Sequence, residues 1–477
     1  MTPRRTPMSR VDTAWLRLDS DVNRPMVVGL WLLQPAVTLA ALSNRLRNRL
    51  LKIPRFRQKA VQGTLGAEWV DEEAFDLHRH VVRERLVCRR GQSARAALQS
   101  RVGELISQPL DRAHPLWQFH LVEQYDNGSA VIVRVHHCMA DGIALSAVLM
   151  SLMDDGAEAP GPEEIAQPHL HDRDLAQWLN DSMLQPLTAL AIQAIEGAGD
   201  GVVRSLAALE RPRQTLGRTL ALGQAARQIA ADAATIALMA DDAPTRFRGP
   251  LDGHKCVAWS EPLPLEHVKA VGKALACSVN DVLVACAAGA IGGYLRDLGD
   301  DTRGQEIRAM VPVNLRPLDE AWSLGNRFGL APLLVPIGIE HPVARVYAVH
   351  ARMSELKGHY QPLLAYAMMA LTGSLTQGGQ DLLSNHFLDK TTAVMTNVPG
   401  PQRPLRLCGS TLRQATFWAP LSGHIGLGVS IMSYAGGVQL GLITDRQRCT
   451  EPQAVLDRFA PEFEKLLLMT LMMPWAV

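Results

Sequence analysis

The chain has 477 residues, of which 47% are hydrophobic and 20% charged, with 48 Lys and Arg against 47 Asp and Glu. This length suits two or three domains with a large core, and the composition is typical of a globular protein and not of a disordered one. The balanced charge removes any whole-chain argument for a nucleic-acid partner, although a local patch for a membrane surface stays open.

The seven cysteines are scattered and form no CxxC pair, which indicates free thiols in a reducing compartment. The N-terminal stretch MTPRRTPMSRVD is basic, and no apolar segment comes after it, so we expect no signal peptide. These features predict a cytoplasmic protein, with peripheral contact to the inner membrane or to lipid inclusions left open.

Strands and helices alternate in the first 165 residues. PMVVGLWLL (25–33) is predicted to be a strand, and VTLAALSNRLRNRLLKI (37–53) has leucines at helical spacing on one face. WQFHLVEQY (117–125) and SAVIVRV (129–135) flank Asp126-Asn127-Gly128, and Asn-Gly between apolar runs is a strong hairpin signal. The region is therefore predicted to be mixed α/β.

The composition changes in the acidic, Pro- and Gly-rich segment 154–168, which is typical of a linker. An Ala- and Leu-rich helical run extends from there to about residue 240, and a second mixed α/β region comes after that run. We predict an N-terminal subdomain (1–165), a helical connector (166–244) and a C-terminal subdomain (245–477).

Two long uncharged stretches, 361–380 and 414–444, are candidates for membrane spans. The second alternates apolar residues around Ala435-Gly436-Gly437 and therefore predicts two buried strands joined by a turn. The first carries too many Gly, Gln, Ser and Thr for a run of about 18 apolar residues, so we expect no transmembrane helix. Its helix, 362–373, is apolar nearly all round.

The most informative stretch is VRVHHCMADGIAL (133–145), at the end of the second hairpin strand and before a predicted helix. Alternation along the strand places His137 on the apolar face and His136 towards polar groups, so the two imidazoles are not equivalent. Asp141 and Gly142 suit the turn after the strand. An imidazole titrates near neutral pH, which makes it a suitable general base for a hydroxyl or thiol.

Other interpretations of this stretch stay open. A pair of histidines at a strand end is often only polar surface. A metal site is an alternative, with His136, His137, Cys138 and Asp141 as ligands, but adjacent strand residues point in opposite directions. The chain has no GxSxG, GxxxxGK[ST] or GxGxxG motif, so a base without an evident nucleophile favours direct attack of one substrate on another.

The segment HHCMADG matches the HHxxxDG motif of a group that includes chloramphenicol acetyltransferase, plant CoA-dependent acyltransferases and condensation domains. Further segments resemble one branch, the bacterial wax ester synthase/diacylglycerol acyltransferases: PLW in PLDRAHPLW, ND in SVNDVLVACAAGAI, and VPVNLRP, GNRFG, TNVPGP and SYAGGVQLGLITD. The resemblance covers nearly the whole chain, from about residue 9 to residue 465.

The resemblance implies an α/β (α+β) fold of two chloramphenicol-acetyltransferase-like subdomains, joined by the helical connector, with an active-site tunnel at their interface. It implies an acyl-CoA donor as a substrate, no cofactor, and a long-chain alcohol or a diacylglycerol as the acceptor. It also implies that His137 is the general base, that His136 is more structural and that Asp141 is architectural. Gly142 would leave room for the turn and the approaching substrate, and Arg57 would be the partner of Asp141.

The resemblance further places Asn280 near the reacting carbonyl, next to Asp281. From the residues alone, either is an ordinary N-cap of the helix that begins there. Asn397 is expected to shape a turn beside the tunnel.

Pro115-Leu116-Trp117 begins a strand, and Trp117 is expected to serve packing and not chemistry. Met368, Met369 and Leu371, in the apolar helix 362–373, are expected to line the tunnel, since methionine adapts to variable apolar ligands; an ordinary core role is the alternative.

Two other functions stay open at this stage. One is a condensation-type or specialised-metabolite acyltransferase that uses carrier-bound acyl groups. The other is a catalytically silent lipid-binding protein at a droplet surface. The C-terminal stretch FEKLLLMTLMMPWAV (463–477) is apolar, so it is expected to dock onto the body of the protein or to touch a membrane.

Overall fold

The computed structural model describes residues 4–63, 66–156, 228, 231–236, 238–316, 324–356, 359–375 and 388–473. Its strands are β1 (Arg5–Pro7), β2 (Met26–Gln34), β3 (Gln58–Gln62), β4 (Ala67–Asp71), β5 (Val81–Glu84), β6 (Trp117–Tyr125), β7 (Gly128–His136), β8 (Lys255–Trp259), β9 (Leu263–Pro264), β10 (Ile307–Asn314), β11 (Phe328–Val335), β12 (Ala393–Pro399), β13 (Arg406–Leu407), β14 (Ser410–Trp418), β15 (Leu427–Tyr434) and β16 (Gly437–Asp445). Its helices are α1 (Arg10–Arg17), α2 (Leu39–Asn48), α3 (Ala94–Ser107), α4 (Gly142–Ser151), α5 (Leu265–Ala274), α6 (Val279–Asp297), α7 (Pro342–Leu356), α8 (Gln361–Thr372), α9 (Pro452–Leu456) and α10 (Phe459–Leu471).

The strands form three sheets. The first large sheet has the order β13-β14-β2-β7-β6-β5, and the second has the order β11-β10-β12-β15-β16-β8, with β9 also paired to β16. A small sheet has the order β1-β4-β3. The predicted mixed α/β architecture is confirmed.

The first large sheet takes strands from both halves of the chain. β14 pairs antiparallel with β2 and has a bulge between Leu412 and Gln414. Hydrophobic residues of β14 accordingly belong to the same core cluster as those of β2 and β7. The predicted division into 1–165, 166–244 and 245–477 does not include this crossover, and its boundaries stay a prediction.

The hairpin that carries the histidines forms where it is predicted, between β6 and β7. Asp126 and Asn127 occupy the turn with positive φ angles of 47° and 58°, which short polar side chains tolerate best. Gly128 opens β7, and a Cβ on it would lie 2.0 Å from the Leu33 carbonyl oxygen. Every residue of β7 is buried, so the strand is a fixed platform for the histidine motif at its end.

The second hairpin, β15 and β16, also confirms its prediction, with Ala435 and Gly436 at positive φ in the turn. The stretch 414–444 thus contributes strands to both large sheets. Among the described residues no single helix is both long and apolar enough to cross a membrane, although α5 and α6 meet that test as a pair bent by 100°.

The predicted connector, 166–244, lies mostly outside the described residues, and residues 231–236 within it are helical. The apolar helix at 362–373 corresponds to α8. In α8, Met368 is half-buried and Met369 packs against the hydrophobic core of the first large sheet. Leu371, in contrast, is 59% exposed. Leu371 therefore faces outwards, and the expectation that it lines an internal tunnel is wrong.

Helix α3 contacts the second sheet at the start of β8. A Cβ on Gly103 would lie 2.5 Å from the backbone oxygen of Lys255, so only glycine allows this approach. Ser107, one turn later in α3, accepts a hydrogen bond from the Lys255 backbone N–H at 2.8 Å. The contact joins the two halves of the molecule independently of the strand crossover.

We predict that Gly103→Ala and Gly293→Ala have opposite effects on the free energy of unfolding. Both glycines lie inside helices, where alanine is intrinsically favoured by about 0.5–1 kcal/mol. A Cβ on Gly293 meets only ordinary contacts, the nearest at 3.5 Å, so this variant gains stability. Gly103→Ala forces α3 from β8 and loses about 1–3 kcal/mol. Urea unfolding measures both, and equal gains would contradict the packing described.

Candidate active site

The imidazole of His137 lies in the turn after β7 and contacts two aromatic rings. The Trp15 ring of α1 stacks on it with 4.2 Å between centroids and an interplanar angle of 13°. Phe328, the first residue of β11, lies 5.4 Å from it. Burial lowers the pKa of His137 below its ordinary value of 6.5. The ring is therefore neutral at neutral pH, which is the form that accepts a proton.

The side chain of Asn326, in the loop before β11, determines which nitrogen of His137 carries the hydrogen and which carries the lone pair. Its Nδ2 donates to Asp12 Oδ1 and to the backbone oxygen of His137, both at 2.7 Å. This orientation turns Asn326 Oδ1 towards His137 Nδ1, at 2.8 Å. An amide oxygen only accepts hydrogen bonds, so Nδ1 carries the hydrogen and Nε2 carries the lone pair.

Asp12, in the first turn of α1, holds Asn326 from the other side. Its Oδ1 also accepts the backbone N–H of Asn326 at 3.0 Å. Burial raises the pKa of Asp12, whereas its hydrogen bonds with Asn326 and the nearby charge of Arg55 act in the opposite direction. The Arg55 guanidinium itself stacks 3.9 Å above the ring of Trp69. A chain of contacts thus links α1 to the imidazole of His137.

His136 has a different environment, as the alternation argument predicts, although β7 ends at His136 and His137 belongs to the next turn. Its Nδ1 accepts the Cys138 backbone N–H at 3.2 Å, so its hydrogen is on Nε2, 3.9 Å from Asp19 Oδ2. Burial lowers the pKa of His136 to about 4. Its backbone N–H donates to the Leu116 carbonyl at 2.9 Å. His136 is therefore a neutral, fixed part of the strand end.

Asp141 is the N-cap of α4 and the centre of a contact between the two halves. Its Oδ1 accepts the Ala144 backbone N–H at 2.9 Å, and its Oδ2 accepts from Arg316 Nη2 at 2.7 Å. The Arg327 backbone N–H donates to the same Oδ2 at 3.0 Å. The partner of Asp141 is thus Arg316, which is 1% exposed. The expectation that Arg57 fills this role is wrong, because Arg57 lies exposed at the end of a short 3₁₀ helix.

Gly142, the first residue of α4, has no positive φ, so the turn does not depend on a glycine at this position. The residue is exposed, and a Cβ built on it meets no atom within 4 Å. The space beside Gly142 is therefore open, as the approach of a substrate would require.

The PLW segment packs behind the histidines. Trp117 is fully buried, stacks on His80 at 4.4 Å and donates its indole N–H to the Phe56 carbonyl at 2.9 Å. Pro115 is buried, and its carbonyl accepts the Trp117 backbone N–H at 2.9 Å. With the bond from His136 to the Leu116 carbonyl, the segment holds the end of β7 in place. The contacts agree with a packing role for Trp117.

The ND segment begins α6, but its N-cap is Ser278 and not Asn280 or Asp281. Asp281 completes a capping box, in which Asp281 Oδ2 accepts the Ser278 N–H at 2.8 Å and Ser278 Oγ accepts the Asp281 N–H at 3.1 Å. Asn280 Oδ1 accepts from Asn397 Nδ2, on β12, at 3.0 Å. The structure thus brings Asn280 and Asn397 together, while the hydrogen bonds of His137 in the described chain go to other residues.

The alternative metal site at the histidine motif finds no shared ligand position. His137 Nδ1 faces Asn326, His136 Nδ1 faces a backbone N–H, and the Asp141 carboxylate binds Arg316 and two backbone N–H groups. Burial raises the pKa of Cys138 well above its usual value, so it is a thiol. The two imidazole Nδ1 atoms and the carboxylate are thus directed to separate protein partners.

A surface cavity of about 520 Å³ lies beside α2 and is lined by Ala41, Asn44, Arg45, Asn48, Arg49, Asp154 and Cys408. Since His137 does not line this cavity, it is not the predicted substrate tunnel. A tunnel between the two halves, and its lining by Met368 and Met369, stay predictions.

Four residues of this site received no role from the sequence: Asp12, Trp15, Arg316 and Asn326. Arg316 and Asn326 lie in VPVNLRP and GNRFG, two of the segments that carry the resemblance, so the sequence did mark these two positions. What the sequence lacked was the contact, since Asn326 and His137 lie 189 positions apart.

We predict that Arg316→Met destabilises the protein by about 3–5 kcal/mol, because it leaves the buried Asp141 carboxylate without its cation. The matched control is Arg57→Met, which changes an exposed side chain and is expected to stay within about 0.5 kcal/mol of the parent. Urea unfolding gives both values. A larger loss of unfolding free energy in Arg57→Met than in Arg316→Met would support Arg57, and not Arg316, as the partner of Asp141.

Comparisons with known proteins agree with these features. The sequence model of the wax ester synthase/diacylglycerol acyltransferase catalytic domain matches residues 8–283, and that of the WS/DGAT C-terminal domain matches residues 324–467. A probable diacylglycerol O-acyltransferase of Mycobacterium tuberculosis is 27% identical over 450 residues, which are 92% of this chain and 90% of that protein. A second putative diacylglycerol O-acyltransferase of that species is 27% identical over 427 residues, which are 87% and 80% of the two chains.

Solved structures share the whole fold. The wax ester synthase/diacylglycerol acyltransferase from Marinobacter aquaeolei superposes with a TM-score of 0.64 and 21% identity, over 98% of this chain and 100% of that one. The first condensation domain of the CDA synthetase gives a TM-score of 0.59 with 15% identity, over 97% and 96%. These matches confirm the two-subdomain, chloramphenicol-acetyltransferase-like fold. The chain belongs to the wax ester synthase/diacylglycerol acyltransferase family and is an acyltransferase.

Proposed function

We propose that this enzyme transfers a fatty acyl group from acyl-CoA to the hydroxyl of a long-chain alcohol, giving a wax ester, or of a diacylglycerol, giving triacylglycerol. The observation that carries the proposal is the neutral His137, whose Nδ1–H is held by Asn326 so that Nε2 has the free lone pair. The names of the relatives supply the substrate classes.

In the proposed reaction both substrates are bound together. Nε2 of His137 takes the proton of the acceptor hydroxyl while the hydroxyl oxygen bonds to the thioester carbon. The C–S bond then breaks, and the imidazolium returns the proton to the departing CoA sulfur. No acyl-enzyme forms. Such proton transfer typically contributes about 10²- to 10⁴-fold to the rate.

Other residues support this reaction without exchanging protons. Since Asn280 Oδ1 is taken by Asn397, the Asn280 amide keeps N–H groups for the thioester carbonyl oxygen. The open space beside Gly142 admits the acceptor. Met368 and Met369 line the apolar path for the chains.

We expect His137→Ala to lower kcat by about 10²- to 10⁴-fold, measured as release of free CoA from palmitoyl-CoA with hexadecanol or with diacylglycerol. Asn326→Ala, which loosens the ring and its tautomer, lowers kcat with a smaller change in KM for the thioester. His136→Gln is the control and is expected to keep most of the activity, since His136 neither accepts nor donates a proton in the proposed reaction. Competition between the two acceptors in one reaction then assigns the preferred product.

Full activity of the His137→Ala protein would remove the assigned base. If the folded parent releases no CoA with either acceptor, the proposed donor and acceptors are wrong. Activity only with carrier-bound acyl groups would favour the condensation-type alternative.

The pH profile tests the neutral imidazole. Because burial holds the pKa of His137 below 6.5, the base stays unprotonated as the pH falls through 6.5. We therefore expect kcat/KM to stay constant around pH 6.5 and to decline only at lower pH. The His136→Gln variant is expected to show the same decline on the acidic side. A decline centred at or above 6.5 in folded protein would contradict the buried, neutral base.

The C-terminal helix α10 is proposed as a peripheral contact with lipid. Its inner face, including Phe463 and Leu466, packs in the hydrophobic core formed by the second large sheet with α5 and α6, as predicted for a tail that docks onto the body. Leu468, Leu471 and Met472 remain 61%, 63% and 84% exposed. Neutral-lipid acceptors reside in membranes and lipid inclusions. An apolar edge on α10 would therefore bring the enzyme to the surface that holds its substrate.

Replacing Leu468, Leu471 and Met472 together by glutamine is expected to reduce co-sedimentation with vesicles of phosphatidylethanolamine, phosphatidylglycerol and diacylglycerol several-fold. The matched control, Val87→Gln, alters an apolar side chain that is 76% exposed elsewhere. Unchanged sedimentation of the triple variant would argue against a membrane role for α10.

A further inference from the structure

Three potential metal ligands converge at the start of α6, away from the hydrogen-bond network of His137. Cys277 lies in the turn between α5 and α6, Asp281 in the first turn of α6, and His350 on α7. One ligand atom from each side chain lies within 4.8 Å of the other two. His350 Nδ1 and Asp281 Oδ2 are 2.8 Å apart.

We propose that Cys277, Asp281 and His350 bind a thiophilic divalent cation of the zinc class. A thiolate, an imidazole and a carboxylate are the donor types that zinc prefers, and three such ligands with a water complete a tetrahedral site. The His350 side chain is 45% exposed and Cys277 is half-buried, so an ion reaches them from solvent.

The imidazole and the carboxylate need little movement to share one ion. Nitrogen and oxygen ligands of one tetrahedral zinc lie about 3.3 Å apart, so His350 Nδ1 and Asp281 Oδ2 separate by a few tenths of an ångström. The exposed His350 ring supplies that motion, while Asp281 is held by the Ser278 backbone N–H. The hydrogen between the two groups passes through solvent from Nδ1 to Nε2 of His350, and the lone pair of Nδ1 then faces the ion.

The thiol is the group that the ion changes most. Cys277 Sγ donates to the Leu275 carbonyl oxygen at 3.3 Å, so without a cation the sulfur is a thiol. Binding forms the metal–sulfur bond and releases the thiol proton to solvent. The capping box and the bond between His350 and Asp281 would occur in a purely structural helix cap as well. Participation of Cys277 is therefore the observation that distinguishes a metal site from a helix cap.

Cobalt(II) is the probe, because its coordination by a thiolate gives a charge-transfer absorption band. The full-length protein, reduced and freed of metal by a chelator, is titrated with Co²⁺ in the absence of substrate. We expect a saturable thiolate-to-cobalt band with one equivalent bound, and its loss when Zn²⁺ is added.

Cys277→Ser is expected to abolish the band, and His350→Gln to weaken Co²⁺ binding at least tenfold. Both variants keep Ser278 and Asp281, so the cap of α6 remains and circular dichroism confirms the fold. Two controls retain the band: Cys88→Ser, at an exposed cysteine, and His424→Gln, at a half-buried histidine that pairs with Asp389.

No thiolate band in the parent protein, or a band that survives Cys277→Ser, would overturn the site. Loss of the band in Cys88→Ser would assign the cobalt to the Cys88 thiol and would likewise overturn the proposed site. Because the readout needs no turnover, it is independent of whether the acyl transfer proposed above is correct.

Discussion

The candidate active site depends on one amide side chain. Asn326 bonds at once to the Asp12 carboxylate, to the backbone oxygen of His137 and to Nδ1 of the same histidine. Since the first two partners only accept, the amide cannot turn over, and the hydrogen of the imidazole is confined to Nδ1. Stacking on Trp15 fixes the plane of the ring, and burial keeps it neutral. An imidazole of fixed tautomer, plane and charge state results from contacts that are each ordinary, and the proposed general base requires such an imidazole.

The same contacts require both halves of the molecule. His137 and Asp141 come from the first half, whereas Asn326 and Arg316 come from the second, and the buried pair of Asp141 and Arg316 spans the junction. The crossover of β14 onto β2 and the approach of α3 to β8 hold the halves in that position. A site built across a junction is complete only in the folded whole, and ligand sites are commonly found at such interfaces.

Local patterns in the sequence predict much of this fold. The turn at Asp126 and Asn127 and the hairpin around Ala435 result from short-range rules of turn chemistry and alternation, and both form as expected. The unequal environments of His136 and His137 were also expected from alternation, but the strand ends at His136, so the turn that begins at His137 separates the two side chains. The partner of Asp141 could not be predicted in this way, because Arg57 and Arg316 are equally plausible cations until tertiary packing places Arg316 beside it. The role of Asn326 was hidden for the same reason: a recognisable motif does not state what its side chain touches across 189 positions.

The central claim is that His137 is a neutral imidazole with its hydrogen on Nδ1 and its lone pair on Nε2. Nitrogen-15 chemical shifts of labelled histidine, assigned by comparison with the His137→Gln protein, report the state of each ring nitrogen directly. At neutral pH we expect a protonated-type shift for Nδ1 and a lone-pair-type shift for Nε2, and a loss of this distinction in Asn326→Ala. An imidazolium at neutral pH, or a hydrogen on Nε2 in the parent protein, would contradict the account.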